Sequence, residues 1–147
     1  MSFHVPNQFK NPIRFMSSKA RRIQAIQDTI REILKLKYGE RCQLCGKPAN
    51  DLGVFHILPV GRYPKIRFAM QNVLISCWMR CHRLWHSDPL QADRFKKKIA
   101  EVKGFKTFDA LKESLLIYDK AAPRLSAFQI SFVEMARREE LKELQEG

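Results

Sequence analysis

Four cysteines and three of the four histidines of this 147-residue chain fall between Cys42 and His86. Cys42-Gln43-Leu44-Cys45 is followed by Gly46. Two thiolates two residues apart can wrap one tetrahedral ion, and the glycine permits the tight turn behind them. Cys77 and Cys81 form the second pair, with three residues between them. Spacings of two to four are tolerated, so Cys42, Cys45, Cys77 and Cys81 are the expected ligands of one structural Zn2+. A set of three cysteines completed by His82 is the alternative, and free buried thiols are the reading without metal. A zinc held this way contributes ~10 kcal/mol to folding in small zinc peptides. It would also draw together the two ends of the 31-residue loop between Cys45 and Cys77.

The histidines are His56, inside that loop, and His82 and His86, just past the second cysteine pair. If the segment from Cys81 onward is helical, the spacing of four puts His82 and His86 on one face, where they can grip a single ion. His56 precedes Ile57-Leu58-Pro59 and then a basic run, Gly61-Arg62-Tyr63-Pro64-Lys65-Ile66-Arg67-Phe68, and Asn72 opens the next apolar stretch. His4 stands outside this context and is assigned no role. Trp78, Trp85 and Tyr63 lie nearby; packing around the zinc and under the strands is their expected use, with stacking on unpaired bases as the alternative.

The net charge is +12, from 27 Lys/Arg and 15 Asp/Glu, and it is unevenly placed. Residues 1–41 hold nine basic and three acidic side chains, residues 42–87 six and one, and residues 88–147 twelve and eleven. Asp51 is the only carboxylate of the middle stretch. A basic segment nearly free of carboxylates suits an anionic polymer, of which nucleic acid is the usual one. With 45% hydrophobic and 29% charged residues the composition is neither disordered nor membranous. No apolar run approaches the ~18 residues of a membrane span. The N-terminus lacks the pattern of a secretory signal, so a reducing cytoplasm is the expected location and metal binding the expected use of the cysteines.

The elements that must position these residues are few. Residues 1–16 read as an irregular arm. A helix is expected from about Ser18 to Lys37, capped by Ser17 or Ser18, with Ile23, Ile26, Ile30 and Ile33 as its stripe. Val54–Leu58 and Asn72–Ser76 are the two strand candidates. Asp88-Pro89 starts a helix to about Lys103, Thr107 caps another to about Tyr118, and Ser126 with Gln129 forms a capping box for a last one to about Gln145. In that last helix Leu125, Phe128, Phe132 and Met135 repeat every three or four residues and are expected in the core. Whether the C-terminal helices also form a homodimer seam is left open. The expected architecture is α+β: a small ββα-metal core with a four-cysteine zinc knuckle, one helix before it and about three after it. The regions are a 1–40 arm and basic helix, a 41–87 zinc-bound core and an 88–147 helical region.

Taken in order, Cys-x-x-Cys, Phe-His-Ile-Leu-Pro, Arg-Phe…Gln-Asn-Val-Leu-Ile-Ser-Cys and Cys-His…His resemble the zinc-containing His-Asn-His (HNH) endonucleases with a ββα-metal site. Within them the chain is most similar to the phage recombination nucleases of the NinG/Rap type. The motif spans Cys42 to His86, about a third of the chain. The resemblance implies a DNA endonuclease serving phage or prophage recombination or DNA processing, inside the bacterial host cytoplasm if phage-encoded. It implies that His56 activates water, that Asn72 braces the loop and orients His56, and that His82, with His86 as second ligand, holds a catalytic Mg2+, Mn2+ or Zn2+. Arg62, Lys65 and Arg67 would then neutralise phosphates flanking the break, and Arg80 or Arg83 would reach the scissile group. The substrate would be DNA, with branched and single-stranded forms included. Many such nucleases carry Asp or His just before the general base, where this chain has Phe55; His82 and His86 then suffice, or Asp51 swings in, or the site is weak. A non-catalytic zinc module that binds DNA or a recombination partner is the competing expectation.

Overall fold

The computed structural model describes residues 17–147, so the expected arm and His4 lie outside the described residues. Helix α1 spans Ser18–Tyr38. Ser17 caps it, its Oγ accepting from the Ala20 amide at 3.1 Å, and Gly39 ends it at φ 81°, a conformation that side chains resist. Ile26, Ile30, Ile33 and Leu34 form its buried face.

Strands β1 (Leu52–His56) and β2 (Val73–Cys77) form a two-stranded antiparallel sheet in which Leu52 opposes Cys77 and His56 opposes Val73. Strand β1 stops earlier than its apolar run suggests. The amide and carbonyl of Leu58 are bonded to the side chain of Asn72 and not to a neighbouring strand. Strand β2 leads into a single π-helical turn, Trp78–His82, and then the short helix α2, Arg83–Ser87. The π turn houses the additional residue between Cys77 and Cys81; such turns accommodate one residue more than an α turn.

Three longer helices follow: α3 (Pro89–Val102), α4 (Phe108–Ala121) and α5 (Ala127–Glu146). Asp88, Thr107 and Ser126 cap them through their side-chain oxygens, as expected. The chain is therefore α+β, with α1 packed against both the sheet and α5. Phe55, Leu74, Ile75, Ile66, Ile99, Leu111, Leu115 and Ile130 meet in one core.

The face of α5 differs from the expected one. Leu125 packs against the core, but Phe128, Phe132 and Met135 are 75%, 62% and 71% exposed. The helix turns Ile130 and Val133 inward. Polar contacts select that face: Arg137 donates to the Phe68 carbonyl, Arg22 reaches Ser131 and Glu134, and Lys37 pairs with Glu140. No helix among the described residues is long and apolar enough to cross a membrane.

Candidate metal centre and histidine cavity

The two cysteine pairs converge. The four Sγ atoms lie within 4.8 Å of one another, so all four cysteines, and not His82, complete the cluster. Tetrahedral zinc with Zn–S bonds of ~2.3 Å requires sulfur separations of about 3.8 Å, and the cluster fits that ion. Its backbone is prepared for thiolates. The Cys42 sulfur accepts from the amides of Leu44 and Cys45 at 3.3 and 3.4 Å, and the Cys77 sulfur from the amide of Cys81 at 3.4 Å. Gly46 takes φ 75° and returns its amide to the Cys42 carbonyl at 2.8 Å. Gln43 ties this knuckle to β2 by bonding Ile75 through both its backbone amide and its side-chain oxygen. Burial pushes the Cys42 and Cys81 thiols up. These two thiols thus favour the protonated form, and a bound dication reverses that preference.

Strand β1 ends on His56, and the π turn and α2 carry His82 and His86. These three line one cavity of about 380 Å3, with Ile57, Pro59, Val60 and Trp85 as its apolar walls. The His56 Nε2 lies 2.9 Å from the Arg67 carbonyl oxygen. A carbonyl only accepts, so Nε2 carries the proton and Nδ1 of the neutral ring keeps its lone pair. Burial holds the His56 pKa below its ordinary value; the charges of Arg67 and His82 add to this, and the Arg67 carbonyl opposes it.

Asn72 is fully buried behind this cavity. Its Oδ1 accepts from the Leu58 amide at 2.8 Å and its Nδ2 donates to the Leu58 carbonyl at 3.1 Å. The turn leaving His56 is thereby pinned to the start of β2.

His82 stacks on Trp78 at 4.0 Å between ring centroids and 20° between planes, and His86 lies 4.9 Å away from it, centroid to centroid. The His82 Nδ1 is buried and has no hydrogen-bond partner. Burial, then the neighbouring His86, lowers the His82 pKa, which keeps the ring neutral and able to bind a metal. Phe55 is buried and packs edge-on to His82 and Trp85, at 5.8 and 5.2 Å, as an apolar wall against the His82 ring. Asp51 does not reach the cavity: its carboxylate accepts from the Met79 amide at 2.8 Å, and it lines a separate cleft beside α1. Among the described residues, no carboxylate lines the histidine cavity. Two imidazoles without oxygen donors suit zinc or a late transition ion and fit Mg2+ poorly.

The basic side chains divide. Arg62, Arg80 and Arg83 are exposed. Lys65 and Arg67 instead line a separate cleft of about 250 Å3 against α1. What Arg67 brings to His56 is its backbone oxygen, an atom with no signature in a sequence. Trp85 packs against Phe55 and Phe108 as expected, whereas Trp78 remains half exposed and serves His82 as a stacking partner.

No protein-family profile, no curated protein and no solved structure matches the chain.

Proposed function

We propose that this chain is a metal-dependent DNA endonuclease of the His-Asn-His type, hydrolysing phosphodiester bonds in phage or prophage recombination or DNA processing. The observation that carries the reading is His56 itself: its Nε2 is committed to the Arg67 carbonyl, leaving Nδ1 unprotonated in a cavity shared with His82 and His86. In this account Nδ1 takes a proton from water as its oxygen attacks phosphorus, and the bond to the 3′ oxygen breaks. Asn72 keeps the turn after His56 in place, so the ring does not need to reorganise. Exposed Arg80 and Arg83, on the π turn and α2 beside the histidines, neutralise neighbouring phosphates. When bound at His82 and His86, a divalent ion would supply Lewis-acid stabilisation of the developing charge. The donor chemistry favours zinc or a late transition ion over magnesium.

The absence of a carboxylate from the cavity favours a second reading, a non-catalytic zinc-stabilised DNA-binding module. Supercoiled plasmid and branched oligonucleotides, incubated with the zinc-loaded protein and Mg2+, Mn2+, Ni2+ or added Zn2+, separate the two. Nicking that requires a transition ion and is lost in His82→Ala and His86→Ala supports the nuclease. DNA binding without product in every metal supports the module.

A further inference from the structure

The cleft that holds Lys65 and Arg67 is also lined by Lys19, from the first turn of α1, and Arg124, from the segment leading into α5. Four cations from three parts of the chain therefore meet around about 250 Å3, and among the described residues no carboxylate lines it. None of the four forms an ion pair among the described residues, although Arg22, Arg31, Lys35, Lys37, Lys96, Lys98, Arg137 and Arg138 all do. The Arg67 guanidinium lies over the Phe68 ring at 5.2 Å, and its Nε is buried without a hydrogen-bond partner. Helices α1 and α5 both begin here; Ser18, Lys19 and Ala127 share an adjoining cavity, and neither helix has an acidic residue in its first turn. Their partial positive ends add to the four side chains. Like charges gathered this way repel one another unless an anion sits among them.

We infer that this cleft binds phosphate groups of a DNA strand, held by Lys19, Lys65, Arg67 and Arg124, as a positioning site distinct from the histidine cavity. The inference rests on the reading of the chain as a DNA-acting protein. Arg67 joins the two places: its side chain lines the cleft and its carbonyl holds His56. The rest of the cleft lining, Ile23, Pro64, Phe68, Leu125 and Ile130, offers nothing that reads base identity.

The test compares Lys19→Gln/Arg124→Gln, two exposed positions, with the charge-matched control Lys112→Gln/Lys120→Gln on α4. Fluorescence anisotropy with labelled single-stranded and duplex oligonucleotides, on zinc-loaded protein without further divalent ion, gives affinity against salt. The cleft pair should weaken binding about tenfold near 100 mM salt and lower the log–log salt slope by about 1.4 on single strands or 1.8 on duplex. The control pair should leave both nearly unchanged. Equal effects of the two pairs, or no effect of either, overturns the inference. So does stabilisation of the wild type by inorganic phosphate, abolished in the cleft pair, with strand affinity intact; that result marks a small-anion site. Weakened strand binding in the cleft pair with no cleavage by the wild type in any metal would keep this site and remove the hydrolase. Metal-dependent cleavage with unchanged binding would do the reverse.

Discussion

Replacing Asn72 with alanine tests how the turn after His56 is held. The side chain is fully buried and satisfies both backbone groups of Leu58, at 2.8 and 3.1 Å; a third contact, to the Ile66 carbonyl at 3.5 Å, is at the limit of a hydrogen bond. Leu58 is itself buried, so no water replaces the amide. Each buried backbone group left unpaired costs about 1–3 kcal/mol, and two of them give a loss of about 2–6 kcal/mol for Asn72→Ala. In a domain of this size that corresponds to a fall in Tm of about 6–18 °C. Asn72→Asp should be at least as damaging. It keeps an acceptor for the Leu58 amide but sets a carboxylate oxygen against the Leu58 carbonyl. The backbone bond from the Ile57 amide to the Asn72 carbonyl, at 2.9 Å, survives in both variants, so the sheet itself should persist. Urea unfolding at fixed excess zinc, followed by far-ultraviolet circular dichroism, measures the loss. A change below about 0.5 kcal/mol in Asn72→Ala, or wild-type stability in Asn72→Asp, would refute the bracing role.

Metal analysis of the purified protein should give one tightly held zinc per chain; its removal by a strong chelator, or Cys81→Ser, should abolish cooperative unfolding, and an unchanged melting curve would contradict a structural metal. Trp78→Ala removes the ring on which His82 stacks at 4.0 Å and should weaken binding of Ni2+ or Co2+ at the histidines about tenfold by calorimetry, with zinc content unchanged; unaltered affinity would contradict that role. Burial, with Lys37 nearby, pulls the Lys103 ammonium pKa down to about 8, while its Nζ donates to the Met70 carbonyl at 2.9 Å. Between that pH and the ordinary lysine value near 10.4 the unfolded chain binds more protons than the folded one, so stability should rise with pH across this window. The rise should be about 1–2 kcal/mol, discounted for partial exposure, and should flatten in Lys103→Met; a wild-type stability that is level or falls from pH 8 to 10 would contradict it.

Much of the frame was legible because it rests on local chemistry. Ser17, Asp88, Thr107 and Ser126 cap helices through bonds that span two or three residues, and the cysteine spacing carries its own geometry. What escaped depends on distant partners. The period of α5 shows that Phe128, Phe132 and Met135 share a face, but Arg137 and Arg22, by bonding Phe68 and Glu134, decide that this face looks outward. Asp51 was a plausible metal ligand until the Met79 amide claimed its carboxylate. The three histidines were readable as a set, whereas the Arg67 carbonyl that orients one of them and the Lys19–Arg124 pairing across the fold were not. The extra residue between Cys77 and Cys81 looked like a register problem; the π turn absorbs it locally, and His82 and His86 still reach the same cavity.

The most direct measurement is the single-turnover cleavage rate of zinc-loaded wild type and His56→Ala on one plasmid substrate, each with the best-activating divalent ion, from pH 5.5 to 8. Positioned general bases contribute about 10²–10⁴-fold, so the variant should be slower by that factor. Because burial holds the His56 pKa down, the wild-type rate should reach half of its plateau below pH 6.5. Equal rates for the two proteins, or no cleavage by the wild type under any of these conditions, would contradict the account.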